Sequence, residues 1–147
     1  MSYNFDPNQS YHSFIDNNSE PLVFVHGVGL DHKMWSSQTN SLNNHSLITY
    51  DLLGHGRTPY NKEEITLNDF SNQLNHLLKF LKIDKINLIG FSLGSLIGLD
   101  FASKFQEKLT SLTLIGTTYK RTDEQRALVV ERFEQAKLKK PISKQAI

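Results

Sequence analysis

Between residues 86 and 105 the chain passes from one apolar run, Ile86 to Phe91, into a second through the pentapeptide Gly90-Phe91-Ser92-Leu93-Gly94. Few features constrain a fold as strongly. The first run has the length of a buried strand, and the second repeats apolar residues at helical spacing. A G-x-S-x-G joining them requires a tight strand-to-helix turn that lifts the serine hydroxyl above a sheet, the arrangement of a nucleophile elbow. A serine hydroxyl at neutral pH is a weak nucleophile and needs a base, usually histidine, to take its proton. All six histidines, His12, His26, His32, His45, His55 and His76, precede Ser92.

The rest of the chain reads as a frame for that turn. Tyr11 to Ile15 is a short strand candidate followed by the turn formers Asp16-Asn17-Asn18-Ser19. Leu22 to Val25 is continuously apolar rather than alternating, as expected of a strand covered on both faces of a parallel sheet, and Ser46 to Leu52, with Leu47, Ile48, Tyr50 and Leu52, reads as a second such strand. Leu67 to Leu81 carries Phe70, Leu74, Leu77, Leu78 and Leu81 at helical spacing, and Leu109 to Gly116 is a further strand. Strands alternating with such helices imply βαβ units with right-handed crossovers, so the expected fold is α/β, a mostly parallel sheet flanked by helices. Thr122-Asp123-Glu124-Gln125 has the form of a capping box, and the helix it opens should stop before Pro141.

Composition narrows the function classes. A chain of 147 residues buries about 70% of its unfolded surface, enough for one core. With 38% hydrophobic and 21% charged residues it belongs with globular proteins, and a net charge of +1 gives no general attraction to nucleic acid. Residues 120 to 147 are locally basic, with eight Lys/Arg against four Asp/Glu, and read as a solvated helix face. The absence of cysteine removes disulfides, thiol nucleophiles and cysteine-ligated metals, and fits a reducing compartment. No secretory signal is visible at the amino terminus and no apolar run is long enough for a bilayer, so a cytoplasmic protein without membrane attachment is expected. No metal and no cofactor are expected: His26 and His32 are not at helix-face spacing, and neither a phosphate loop nor a G-x-G-x-x-G is present.

Ser92 is the candidate nucleophile; the competing reading is a serine that only caps the following helix. Acyl transfer also needs two donors for the oxyanion, and these are expected from the residue after the serine and from an earlier glycine-rich turn. His26-Gly27-Val28-Gly29, at the end of the Leu22 to Val25 run, is such a turn. The backbone amides of Val28 and Leu93 are therefore the candidate oxyanion hole, and His26 reads as a structural hydrogen-bonder rather than a base.

Taken together, His26 to Gly29 with Met34-Trp35 after it, Asp51-Leu52-Leu53-Gly54-His55-Gly56-Arg57-Thr58, the turn at Ser92 and the strand Leu112 to Gly116 resemble the α/β-hydrolase superfamily, in its serine esterase and lactonase branch. The resemblance covers about residues 21 to 118. It implies Ser92 as nucleophile, Val28 and Leu93 as oxyanion donors, a mainly architectural role for the Asp51 to Thr58 turn, and a small-molecule ester or lactone substrate. It also implies that the acid and the histidine come after the serine in chain order, where this sequence offers only Asp100 and Asp123 and neither is placed to serve. The expectation is an incomplete α/β-hydrolase fold lacking its last strands: residues 1–118 the amino-terminal part of the core, residues 119–147 the start of a helical cap. Such a chain, truncated or partial, would have little activity alone. The alternative is a catalytically inactive module that binds a ligand or partner, with possible self-association through an exposed sheet edge.

Overall fold

The computed structural model describes residues 6, 9–60, 64–118 and 120–137, which fall into two compact units, Met1–Thr117 and Thr118–Ile147. In the first unit the strands are β1 (His12–Ile15), β2 (Leu22–Val25), β3 (Leu47–Tyr50), β4 (Ile86–Phe91) and β5 (Leu109–Ile115). Its helices are α1 (Ser36–Ser41), α2 (Leu67–Leu81) and α3 (Leu93–Phe105). The five strands form one sheet in the order β1-β3-β2-β4-β5; β1 runs antiparallel to β3, and every other pairing is parallel. This is the expected α/β architecture, matching a partial α/β-hydrolase fold.

The central strands are buried because both faces are covered. Val23, Val25, Ile48, Tyr50, Ile86 and Leu88 are at most 1% exposed and share one core with Phe70, Leu74, Leu77 and Leu78 of α2 and Ile97 and Phe101 of α3. Each such side chain contributes roughly 2 kcal/mol by leaving water. A second cluster of Phe24, Trp35 and Leu47 fills the opposite face. Helix α2 occupies the span its apolar spacing predicts. It starts at a capping box in which Thr66 and Asp69 bond reciprocally, and ends where Lys82 turns left-handed at φ 59°.

Two stretches differ from expectation. The Ser46 to Leu52 run is extended only from Leu47 to Tyr50, because Asp51 and the residues after it leave the sheet for a turn held by side chains. A 3-10 turn at His32–Trp35 leading into α1 was not legible, since six polar residues from Ser36 to Ser41 give no apolar period. Helix α3 begins at Leu93, directly after the serine.

In the second unit, α4 (Asp123–Lys137) opens at the capping box foreseen in the sequence. The Thr122 amide donates to Gln125 Oε1 at 3.0 Å and the Gln125 amide to Thr122 Oγ1 at 3.3 Å. Pro141 lies outside the described residues.

Candidate active site

Ser92 alone makes the turn between β4 and α3, with φ 52° and ψ −110°. A residue with a Cβ rarely occupies that conformation, and it costs on the order of 1–3 kcal/mol. The surroundings hold it in place. The Ser92 amide donates to the Ile115 carbonyl at 2.9 Å, and the buried Ser95 hydroxyl lies 2.8 Å from the Gly90 carbonyl and 2.9 Å from that of Ile115. The two glycines of the motif are packing requirements: a Cβ on Gly90 would stand 2.2 Å from the Gly94 carbonyl oxygen, and one on Gly94 would stand 2.2 Å from that of Val25. Only bare backbone lets α3 sit this close to β2 and β4. Although Ser92 occupies the N-cap position, its hydroxyl caps nothing, and it has no hydrogen-bond partner among the described residues. The reading of Ser92 as a simple helix cap therefore has no support in the geometry.

Because β2 and β4 pair in parallel, with Val25 opposite Gly90, the segments that follow them emerge side by side. A Cβ on Gly27 would come within 3.4 Å of the Ser92 Cβ. The Gly27 to Asp31 loop and the serine turn thus meet at the carboxyl ends of parallel strands, the usual place for a site in an open α/β sheet. No hydrogen bond among the described residues engages the amide of Val28 or that of Leu93, the first residue of α3. A helix start also favours negative charge.

His26 is fully buried beneath this loop. Its Nε2 accepts from the Leu52 amide at 3.0 Å, so the ring proton belongs on Nδ1, which donates to the Gly27 carbonyl at 2.8 Å. Burial lowers its pKa; the Gly27 carbonyl opposes that shift, while His55 adds to it. A neutral ring with both nitrogens engaged is not a base for Ser92, in line with the structural role expected of it.

Asp51 is the hub of the neighbouring turn and is wholly buried. Its Oδ1 accepts from the His32 amide and from His32 Nδ1, each at 2.8 Å, and its Oδ2 accepts from the Arg57 amide at 2.8 Å. Burial alone would raise the pKa of this carboxyl, but the amides of Arg57 and His32 and the His32 ring hold it below the ordinary value. Gln73 of α2 reaches the same turn, donating to the Asp51 carbonyl at 2.9 Å and accepting from the Leu53 amide at 3.2 Å. The turn is thus architectural, as the resemblance implied. Sequence reasoning missed His32 and Gln73 as its supports, and Ser95 as a support of the serine turn. Nothing in their local pattern marked them, since each of the three bonds a residue 19 or more positions away.

Asp100, Asp123 and His55 are engaged elsewhere. Asp100 accepts from Ser71 of α2 at 2.6 Å and pairs with Lys104. Its pKa is set by burial, which raises it, against these two partners, which lower it further. Asp123 is exposed and faces Arg126 at 3.8 Å, and His55 Nδ1 bonds the Leu53 carbonyl at 2.9 Å. No hydrogen bond among the described residues joins a histidine to Ser92, and none of their histidines and acids form a group of three that could hold a metal. No helix among them is long and apolar enough to cross a membrane.

Comparison with known proteins places these features in a family. A family model described as alpha/beta hydrolase fold matches residues 20–142. The chain is 30% identical over 131 residues to (E)-2-((N-methylformamido)methylene)succinate hydrolase of Acinetobacter baylyi, covering 88% of this chain and 50% of that protein. It is 30% identical over 104 residues to 3-oxoadipate enol-lactonase 1 of the same organism, covering 70% of this chain and 39% of that one. Among solved structures, an alpha/beta hydrolase enzyme from a Medee basin deep-sea metagenome library superposes with a TM-score of 0.80 at 26% identity, covering 88% of this chain and 48% of that one. The chain spans half or less of the length of these curated relatives.

Proposed function

Because the chain belongs to the alpha/beta hydrolase family, we propose that it carries the nucleophile and the oxyanion donors of a serine hydrolase for carboxylic ester or lactone bonds. The observation that carries this reading is the strained turn at Ser92 with an unengaged hydroxyl, set at the start of a helix whose first amide is also unengaged. In the reaction, Ser92 Oγ attacks the carbonyl carbon and the former carbonyl oxygen becomes an oxyanion. The amides of Val28 and Leu93 hold that charge, the alcohol leaves with a proton, and water then releases the acyl group from Ser92.

The proton from Ser92 needs an acceptor that the described residues do not bring to it. Residues 1–147 alone are therefore expected to turn over substrate weakly, since an oxyanion hole without a base retains only part of the rate. In this reading α4 opens a helical cap, and the chain works in the cytoplasm on a small molecule. The named relatives act on a succinate derivative and on an oxoadipate enol-lactone. Lys33 lines a shallow groove with Leu30, Asp31 and Met34 beside the Val28 loop, and Asp31 Oδ1 is already taken by the Lys33 amide. Esters and lactones bearing a carboxylate are accordingly the first substrates to try.

The test is labelling with a serine-directed phosphonate, read by mass spectrometry of the peptide containing Ser92. A slow adduct at Ser92, faster than at any other serine of the chain and absent from Ser92→Ala, is expected; an intact protein labelled at Ser92 no faster than at its other exposed serines sinks the reading.

A second reading, a partner-binding module without catalysis, draws on the edge of the sheet. Among the described residues strand β5 pairs only with β4, and Leu109 to Thr118 contains neither a charged residue nor a proline to discourage an added strand. Sedimentation of the native chain against Thr113→Lys separates the two readings: a dimer abolished by the lysine favours association, and a monomer in both removes its basis.

A further inference from the structure

We propose that His26 is a positioning residue for the reaction: its ring sets the orientation of the peptide unit that supplies the Val28 amide. The inference rests on the reading of Val28 as an oxyanion donor. The Gly27 carbonyl and the Val28 N–H belong to one planar trans peptide, so they point in opposite directions. Whatever fixes the carbonyl fixes the N–H.

Two donors fix it. His26 Nδ1 approaches the Gly27 oxygen at 2.8 Å, and the Leu30 amide approaches the same oxygen at 3.3 Å. The ring is itself immobile, being fully buried, with Nε2 tied to the Leu52 amide at 3.0 Å. The far end of the loop is secured independently, since the Asp51 carboxylate takes the His32 amide at 2.8 Å. Between these anchors lie Val28 to Asp31, where the Val28 side chain is 69% exposed and Gly29 has φ 72°. Nothing in that stretch packs into the core, so without the His26 bond only the longer bond from the Leu30 amide, itself part of that exposed stretch, would restrain the Gly27–Val28 peptide. Oxyanion donors act by being fixed before charge develops, and a donor free to turn away loses most of its effect.

The ring uses its two nitrogens for different tasks, which makes the proposal testable. In His26→Asn the side-chain amide nitrogen falls near the place of Nδ1 and can still donate to the Gly27 carbonyl. In His26→Gln the terminal oxygen can replace Nε2 in accepting from Leu52, but the donor to Gly27 is lost. A residue that served stability alone would make the two variants differ only as their unfolding midpoints differ. The positioning role predicts that His26→Asn is labelled at Ser92 by the phosphonate within about 3-fold of the native rate, whereas His26→Gln is slowed about 10-fold or more. A second readout needs no chemistry at Ser92: the Val28 amide resonance in a nitrogen-15 correlation spectrum should stay near its native position in His26→Asn and shift or broaden in His26→Gln.

Equal labelling of two folded variants, or an unmoved Val28 resonance in His26→Gln, overturns the proposal. If the native chain is labelled at Ser92 no faster than at its other exposed serines, the proposed function falls instead, and the Val28 resonance alone decides whether His26 orients this peptide.

Discussion

The turn at Gly90–Gly94 and the loop at Gly27–Asp31 flank the same candidate site but are held by opposite means. The serine turn is a contact of backbones: glycines at 90 and 94 admit carbonyl oxygens at distances where any Cβ would collide. The loop is a contact of side chains, fastened by the His26 ring at one end and the Asp51 carboxylate at the other. A backbone contact tolerates no added atom but needs no particular protonation state. A side-chain anchor can be weakened in steps and responds to pH. The two halves of the site should therefore fail differently.

The sharpest way to separate them is Gly94→Ala. Its new methyl would meet the Val25 carbonyl oxygen at 2.2 Å, a backbone atom that cannot yield without moving β2. The expected loss is about 3 kcal/mol or more of unfolding free energy, read in urea melts, and unchanged stability would show that α3 can retreat from the sheet. Asp51→Asn should cost somewhat less, about 2–3 kcal/mol, because one of its three accepted bonds would set an amide N–H against another donor.

A pH series tests the anchors together. The folded state holds His26 below its ordinary 6.5, so it binds fewer protons than the unfolded chain between those two values. Stability is full above 6.5 and declines as pH falls toward the lowered value, by at most about 1.4 kcal/mol per pH unit for one proton. His76, lowered by burial and by Lys79, adds a decline of the same sign. A second decline, from Asp51 and Asp100, begins below the ordinary aspartate value of 3.8. Urea midpoints that stay level from pH 7 to pH 5 would contradict the His26 assignment, and His26→Asn should reduce that limb to the part that His76 contributes.

The smallest effect concerns Ser92 itself. Ser92→Gly relieves a strained φ of 52° but adds the backbone entropy of glycine, so a net gain of about 1 kcal/mol is expected, while Ser92→Ala keeps the strain and changes little. A marked loss of stability in Ser92→Gly would mean that the turn is not strained.

Most of the frame was legible because its signals are local. Leu67–Leu81 and Ile86–Phe91 occupy the spans their apolar spacing predicts, and the Thr122 capping box forms as written. The site was legible in part. Ser92 announced itself through two neighbouring glycines, whereas Ser95, Gln73 and His32 act on residues 19 to 20 positions away. Short polar stretches hid α1 for the same reason: six polar residues carry no period to read.

By itself, then, the sequence determined the alternation of strands and helices, the place of the strand-to-helix turn and the residue at its apex, because hydrophobic period and glycine spacing act over a few residues. Tertiary structure decided the rest. It decided that β1 runs antiparallel beside β3, that the loop after β2 lies against the turn after β4, and that Gly94 owes its lack of a side chain to a carbonyl nearly 70 residues earlier. It also decided which nitrogen of His26 carries the proton, because that depends on the Leu52 amide arriving from another strand's end. Pairing and burial between distant segments fix these outcomes, and no local pattern encodes them.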